Sequence, residues 1–171
     1  MKRPEVQEMT AREKGKRGWR RLFTRLTKDQ RDRLLEILQD QAQEEAAEAE
    51  RLRADADRLS RFPEKQERLL AIAERETEHV RLLREQIQAL GGTPLEPSPP
   101  PPRDRWTLWE RLISDLEAEK EDLDKFLHAA YAVEDDYPEV AALLLRIRDE
   151  EEVNRRALMD LLAKTDPYAI G

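Results

Sequence analysis

The sequence predicts an all-α fold, an antiparallel four-helix bundle with one long proline-rich crossover between its second and third helices. Three observations predict it. Charged residues make up 40% of the 171 positions, hydrophobic residues 39%, and glycine only five positions, a balance that suits long helices with one buried stripe each. Apolar residues recur at steps of three and four, so that each helical stretch has one oily face. Proline and glycine cluster at a few places and divide the chain into helix-length pieces.

Taken in order, residues 1–28 read as a basic tail or short amphipathic helix. The tail holds ten Lys/Arg against three Glu, leaving 21 against 35 for the rest of a chain whose net charge is −7. Residues 29–164 read as the bundle, made of hairpins 29–90 and 105–164 joined by the crossover 91–104, with a short tail at 165–171. The first helix runs unbroken from Asp29 towards Arg61, where Phe62-Pro63 interrupts it. The second follows from about Glu64 to Leu90 and is stopped by Gly91-Gly92. Thr93 to Pro102 is too rich in proline to be helical. The third helix starts near Arg105 and runs to about Glu134, Tyr137-Pro138 makes the next break, and the fourth continues to about Lys164.

Those breaks expose an internal repeat. Phe62-Pro63-Glu64 recurs as Tyr137-Pro138-Glu139 at an offset of 75 residues, which carries Leu69, Ile72, Glu76 and Leu83 onto Leu144, Ile147, Glu151 and Leu158. Two hairpins of one design follow. The 14 residues of the crossover reach roughly 43 Å at about 3.1 Å each. A 27-residue helix is roughly 40 Å long at about 1.5 Å per residue. The linker can therefore return along the whole bundle and set helices two and three parallel.

The four apolar seams share one polar layer. On the first helix Leu35, Leu38, Ala42, Glu45, Ala49, Leu52, Ala56 and Leu59 share a face, and only Glu45 is polar. On the third, Trp109, Leu112, Leu116, Glu119, Leu123, Phe126, Ala130 and Val133 do the same, and only Glu119 is polar. The second seam is Leu69, Ile72, Glu76, His79, Leu83, and the fourth is Leu144, Ile147, Glu151, Asn154, Leu158, Leu161. Glu45 lies 17 residues before Phe62 and Glu119 lies 18 before Tyr137, while Glu76 and Glu151 each lie 14 after those aromatics. The four carboxylates therefore meet at one height. A buried Glu costs several kcal/mol unless paired or neutralised. Two divalent cations would cancel four carboxylates, so Glu45, Glu76, His79, Glu119, Glu151 and Asn154 are the candidate metal ligands. His128, nine residues from Glu119, falls on the opposite side of its helix and is expected to face away from the core.

A Glu on one helix and Glu-x-x-His on the next, repeated in a second hairpin, resembles the ferritin-like superfamily, especially rubrerythrin-like di-iron carboxylate proteins. Glu45 and Glu76-Thr77-Glu78-His79 match in the first half; in the second, Glu119 is present but Glu151-Glu152-Val153-Asn154 has Asn where the family has His. The resemblance implies two iron ions, or one if the Asn154 half-site is empty, with manganese as an alternative metal and Glu76 and Glu151 as bridges. It implies an oxidoreductase acting on dioxygen or peroxide. A ferroxidase or iron-storage subunit is the second reading, and a structural or binding bundle with a degenerate site is the third.

Composition bounds the rest. Cysteine is absent, which removes thiol catalysis, iron–sulfur clusters and an attached rubredoxin domain, so that a redox role needs a separate electron donor. No apolar run approaches the roughly 20 residues that span a bilayer, and no secretory signal opens the chain, so a cytoplasmic protein is expected. An acidic body is a poor nucleic-acid surface. A homo-oligomer is expected from the resemblance. The tail places Trp19, Leu22, Phe23 and Leu26 on one face among Arg17, Arg20, Arg21 and Arg25. A docking helix against the acidic bundle is favoured there over membrane contact through residues 16–28.

Overall fold

A computed structural model of the protein describes residues 28–165. The expected tail helix and the C-terminal residues 166–171 lie outside the described residues. The chain divides into two units, Met1–Arg33 and Leu34–Gly171, and the described part of the first is the opening of helix α1. Among the described residues are four helices, α1 (Lys28–Asp57), α2 (Pro63–Ala89), α3 (Leu108–Val133) and α4 (Pro138–Ala163), and no strand. None of them is long and apolar enough to cross a membrane.

Local chemistry sets the ends. Pro63 and Pro138 stand in the first turns of α2 and α4, where a missing N–H goes unnoticed and the fixed φ suits a helix. Thr107 starts α3 with a reciprocal cap: its hydroxyl accepts from the Glu110 N–H at 3.2 Å, and the Glu110 carboxylate accepts from the Thr107 N–H at 2.7 Å. The cap explains why α3 begins at Leu108 rather than near Arg105. At the other end of α1, the N–H groups of Arg58 and Leu59 bond three residues back, to Asp55 and Ala56, which tightens the chain out of the helix before Phe62. Gly91 closes α2 at φ +78°, and the Gly92 N–H bonds the Ile87 carbonyl at 2.9 Å. A Cβ at Gly92 would sit 2.8 Å from Leu35 Cδ2 of α1 and 3.2 Å from the Ile87 carbonyl, so a larger residue there would require the Leu35 side chain to shift.

The helices are arranged as two antiparallel hairpins. Arg53 of α1 reaches the Ala73 carbonyl and Thr77 of α2, while Glu45 meets His79, so α2 descends as α1 rises. Between α1 and α3, Lys125 bonds Glu44 and Arg111 bonds Asp55, again antiparallel. Between α2 and α4, Lys65 bonds the Lys164 carbonyl, Arg68 bonds Asp160 and His79 bonds Glu150. The diagonal pairs are therefore parallel, as a single long crossover requires. Two apolar clusters fill the interior. One gathers Leu38, Leu83, Ile87, Phe126, Leu144 and Ile147, and the other gathers Leu52, Leu69, Ile72, Leu112, Leu158 and Leu161. The polar layer lies between them.

The crossover runs beside α1 from Gln39 to its C-terminal end. Gln39 donates to the Thr93 carbonyl and accepts from the Leu95 N–H, and Gln43 does the same with Glu96 and Ser98, so two side-chain amides satisfy four linker backbone groups. At the far end Arg103 bonds Asp55 at 2.7 Å and Asp115 at 2.6 Å, and Arg111 bonds Asp55 at 2.9 Å. All four side chains are nine-tenths or more buried, which fastens the linker to α1 and α3 by charge. The seam spacing predicts Trp109, Leu116 and Leu123 in the core, but all three are only partly buried. The buried positions beside them are Arg111, Asp115 and Asp122, which face the Gln41, Glu48 and Asp55 stripe of α1.

Arg103→Ala leaves Asp55 with Arg111 and Asp115 with a 3.7 Å contact to Arg51. The expected destabilisation is about 3 kcal/mol, at the lower end for breaking a buried pair because two cations remain. Urea unfolding measures it, and a change within about 0.5 kcal/mol, the range of an unremarkable surface substitution, would show that the linker is not fastened there.

Candidate metal centre

Each helix contributes to the central layer from the middle of its apolar seam. Glu45, Glu76, Glu119 and Glu151 are 1–2% exposed, and His79 and Asn154 are fully buried. His128 is exposed. Pairs three residues apart on α2 (Glu76, His79) and on α4 (Glu151, Asn154) share one face and one turn, which lets each helix present two polar groups at the same height.

Ligand atoms of Glu45, Glu76, His79 and Glu151 all lie within 4.8 Å of one another. His79 Nδ1 is the hub, 3.3 Å from Glu45 Oε2, 3.2 Å from Glu76 Oε2 and 2.6 Å from Glu151 Oε1. Its other nitrogen, Nε2, lies 2.9 Å from Glu150 Oε2, a carboxylate on α4. Glu150 can only accept when ionised, so it holds a ring proton on Nε2, and Nδ1, which donates to the carboxylates in the metal-free chain, is the nitrogen that would offer its lone pair to a cation. An ion with bonds of about 2.0–2.2 Å spaces its ligand atoms up to about 4.4 Å apart, so the group needs little adjustment to close round one. One imidazole and three carboxylates suit iron(II) or manganese(II). The donor set fits a metal.

Glu119 and Asn154 adjoin this group without entering it. Neither oxygen of Glu119 has a hydrogen-bond donor in reach. Asn154 turns its amide nitrogen inward, donating to Glu76 and, at 3.1 Å, to Glu151 Oε2. Its oxygen faces outward and accepts from Arg75 Nε. Arginine has only donors, so the amide can be oriented in no other way.

The electrostatics follow from crowding acids where water is excluded. Burial and the neighbouring charge of Glu151 push the Glu119 carboxyl far above the usual range, and burial with Glu151 and Glu76 does the same to Glu45. Glu48, one turn beyond Glu45, is raised by burial and by the charge of Glu76, and its Oε1 is unpartnered. Burial would lower His79, but hydrogen bonds it donates to Glu151, Glu45 and Glu76 outweigh that and raise the imidazole. Burial would raise Glu151, yet His79 and then Glu119 hold it below the usual range.

No family model and no curated relative matches the sequence. Solved structures do match in shape. A protein from Xanthomonas campestris pv. campestris superposes with a TM-score of 0.70 at 18% identity, over 80% of this chain and 92% of that one. The Desulfovibrio desulfuricans bacterioferritin, described with a diiron site in different catalytic states, gives 0.70 at 19% identity over 79% and 81%. A bacterioferritin-related protein of Bacteroides fragilis, a dodecameric thioferritin, gives 0.70 at 20% identity over 87% and 94%. The fold is ferritin-like.

Within this ferritin-like bundle, seam reasoning missed Glu48, Arg75 and Glu150. Glu150 and Arg75 each precede a layer glutamate and are related by the repeat offset of 75. That register was the available signal. Their partners, however, lie on the neighbouring helix, which no single-helix periodicity reveals.

Glu119→Gln is expected to raise the melting temperature of the metal-free protein. A carboxyl whose pKa is raised by folding stabilises least at high pH, because protons must be taken up as the chain folds. The sign is therefore a gain that grows from pH 5 to pH 8, by up to about 1.4 kcal/mol per unit above the unfolded carboxyl's pKa of about 4.3. Equal melting shifts at both pH values would show that Glu119 is ionised in the folded chain.

Proposed function

We propose that this chain is a ferritin-like metalloprotein that binds iron or manganese through Glu45, Glu76, His79 and Glu151 and reacts with dioxygen or hydrogen peroxide. The observation that carries this reading is the orientation of His79, whose Nδ1 is turned into three buried carboxylates by the Glu150 bond on Nε2. A purely structural histidine has no need of three acids on one nitrogen. Removing those acids from water is unfavourable unless a cation joins them.

A bound iron or manganese ion would supply the change of oxidation state. The chain's own groups would set its surroundings. Glu45 and His79 would hold it from one hairpin, and Glu76 and Glu151 would each turn one oxygen towards it and the other towards Asn154. Glu119 holds a carboxyl group beside Glu151, where it can keep or pass a proton. The apolar clusters above and below exclude water from the layer. Electrons would come from a separate donor, since the sequence holds no cysteine. Assembly into a homo-oligomer in the cytoplasm completes the proposal, and the dodecamer of the Bacteroides fragilis protein supports its first part.

Anaerobic titration of the metal-free protein with iron(II), followed by air, tests the reading. Tight uptake and a new near-ultraviolet absorption on oxidation are expected. His79→Ala is expected to weaken uptake by roughly 10- to 100-fold, the usual effect of disturbing a ligand shell. If the protein takes up neither iron(II) nor manganese(II), the bundle is a structural module.

A further inference from the structure

The 75-residue repeat makes the two halves of the centre directly comparable. Glu150 of α4 contacts His79 of α2, and its repeat equivalent, Arg75 of α2, contacts Asn154 of α4, which is the equivalent of His79. The two pairs therefore occupy matching places, but their hydrogen bonds run in opposite directions. In the first pair the outer residue accepts the hydrogen bond from Nε2, so the inner nitrogen, Nδ1, is the one that can offer a cation a lone pair. In the second the outer residue donates, so the inner residue shows the centre its N–H groups. Both of those N–H groups are used, on Glu76 and on Glu151.

We infer that the Arg75–Asn154 pair replaces the second metal ion, so that the centre holds one ion per chain, at the His79 side. This rests on the metal-binding reading of His79, and adds the stoichiometry and the residues that set it. Charge agrees with it. Around a bound ion Glu45, Glu76 and Glu151 would together carry three negative charges, which one divalent ion and the Arg75 guanidinium would balance. Glu150 is partly exposed, with Arg146 at 3.9 Å, and contributes less to the interior. Geometry agrees as well: Asn154 holds one oxygen of each shared carboxylate, which leaves the others for a single ion between Glu45 and His79.

Arg75 is the decisive residue of the pair. If Asn154 were merely a poor ligand, Asn154→His alone would restore a second ion. With Arg75 in place it does not, because a neutral imidazole has one acceptor and one N–H. Arg75 claims the acceptor, and the N–H is left facing the carboxylates. Changing Arg75 to an acceptor inverts the bond and turns a lone pair inward, as Glu150 does for His79.

The test is ion count per chain on the full-length protein, by elemental analysis and anaerobic calorimetry with iron(II). The expected counts are one for the wild type, one for Asn154→His, and two for Arg75→Glu with Asn154→His. If the double variant does not melt cooperatively, Arg75→Ala with Asn154→His removes the donor without adding charge and is expected to bind two. Two ions in the wild type, two in Asn154→His alone, or one in a folded double variant each overturn the inference. No ion in any of them overturns the metal-binding reading instead.

Discussion

Four glutamates from four helices face one another in a layer that water scarcely reaches, and everything else in the bundle either tolerates or offsets their repulsion. Like charges at such distances cannot all ionise, so burial raises Glu45 and Glu119 while Glu151, held by His79, stays ionised. The layer is thus divided between charged and neutral acids by which of them His79 reaches. A histidine with Nδ1 on three carboxylates is the only imidazole in the layer, and it carries the same role that a cation would.

The remaining architecture keeps that layer in register. Apolar clusters on both sides clamp the helices at fixed height, so the four seams cannot slide without moving an acid into hydrocarbon. The crossover adds a second constraint, since it is tied to α1 by Gln39 and Gln43 and to α1 and α3 by Arg103. Between Gln39 and Arg58 α1 rises about 29 Å at 1.5 Å per residue. The linker residues alongside, Thr93 to Asp104, span roughly 34 Å in a polyproline conformation. The strap is only slightly longer than the stretch it accompanies, and the proline-rich composition keeps it extended.

Much of this was legible in the sequence because it is periodic. Helical steps of three and four placed Glu45 and Glu119 inside apolar seams, and distances from Phe62 and Tyr137 gave a common depth. What periodicity hid was polar packing beside the seams. Gln41, Glu48 and Asp55 recur every seven residues and are buried against Arg111, Asp115 and Asp122, yet charged residues next to a seam read as a solvated face. On α1 the rotation also brings Leu34 rather than Leu35 fully into the core. The outer pairs were hidden for a different reason. Arg75 and Glu150 act across to the opposite hairpin, and the direction of a hydrogen bond depends on which donor meets which acceptor in three dimensions. Asn154 was legible as a departure, but its orientation came only with Arg75.

The central claim is that the buried layer is built round a cation at the His79 side. Anomalous diffraction at the manganese absorption edge, from crystals grown with manganese(II), tests it most directly. The account predicts one strong peak enclosed by Glu45, Glu76, His79 and Glu151, with His79 Nδ1 as its nitrogen ligand. An interior without a peak, while manganese decorates only surface carboxylates, would contradict it.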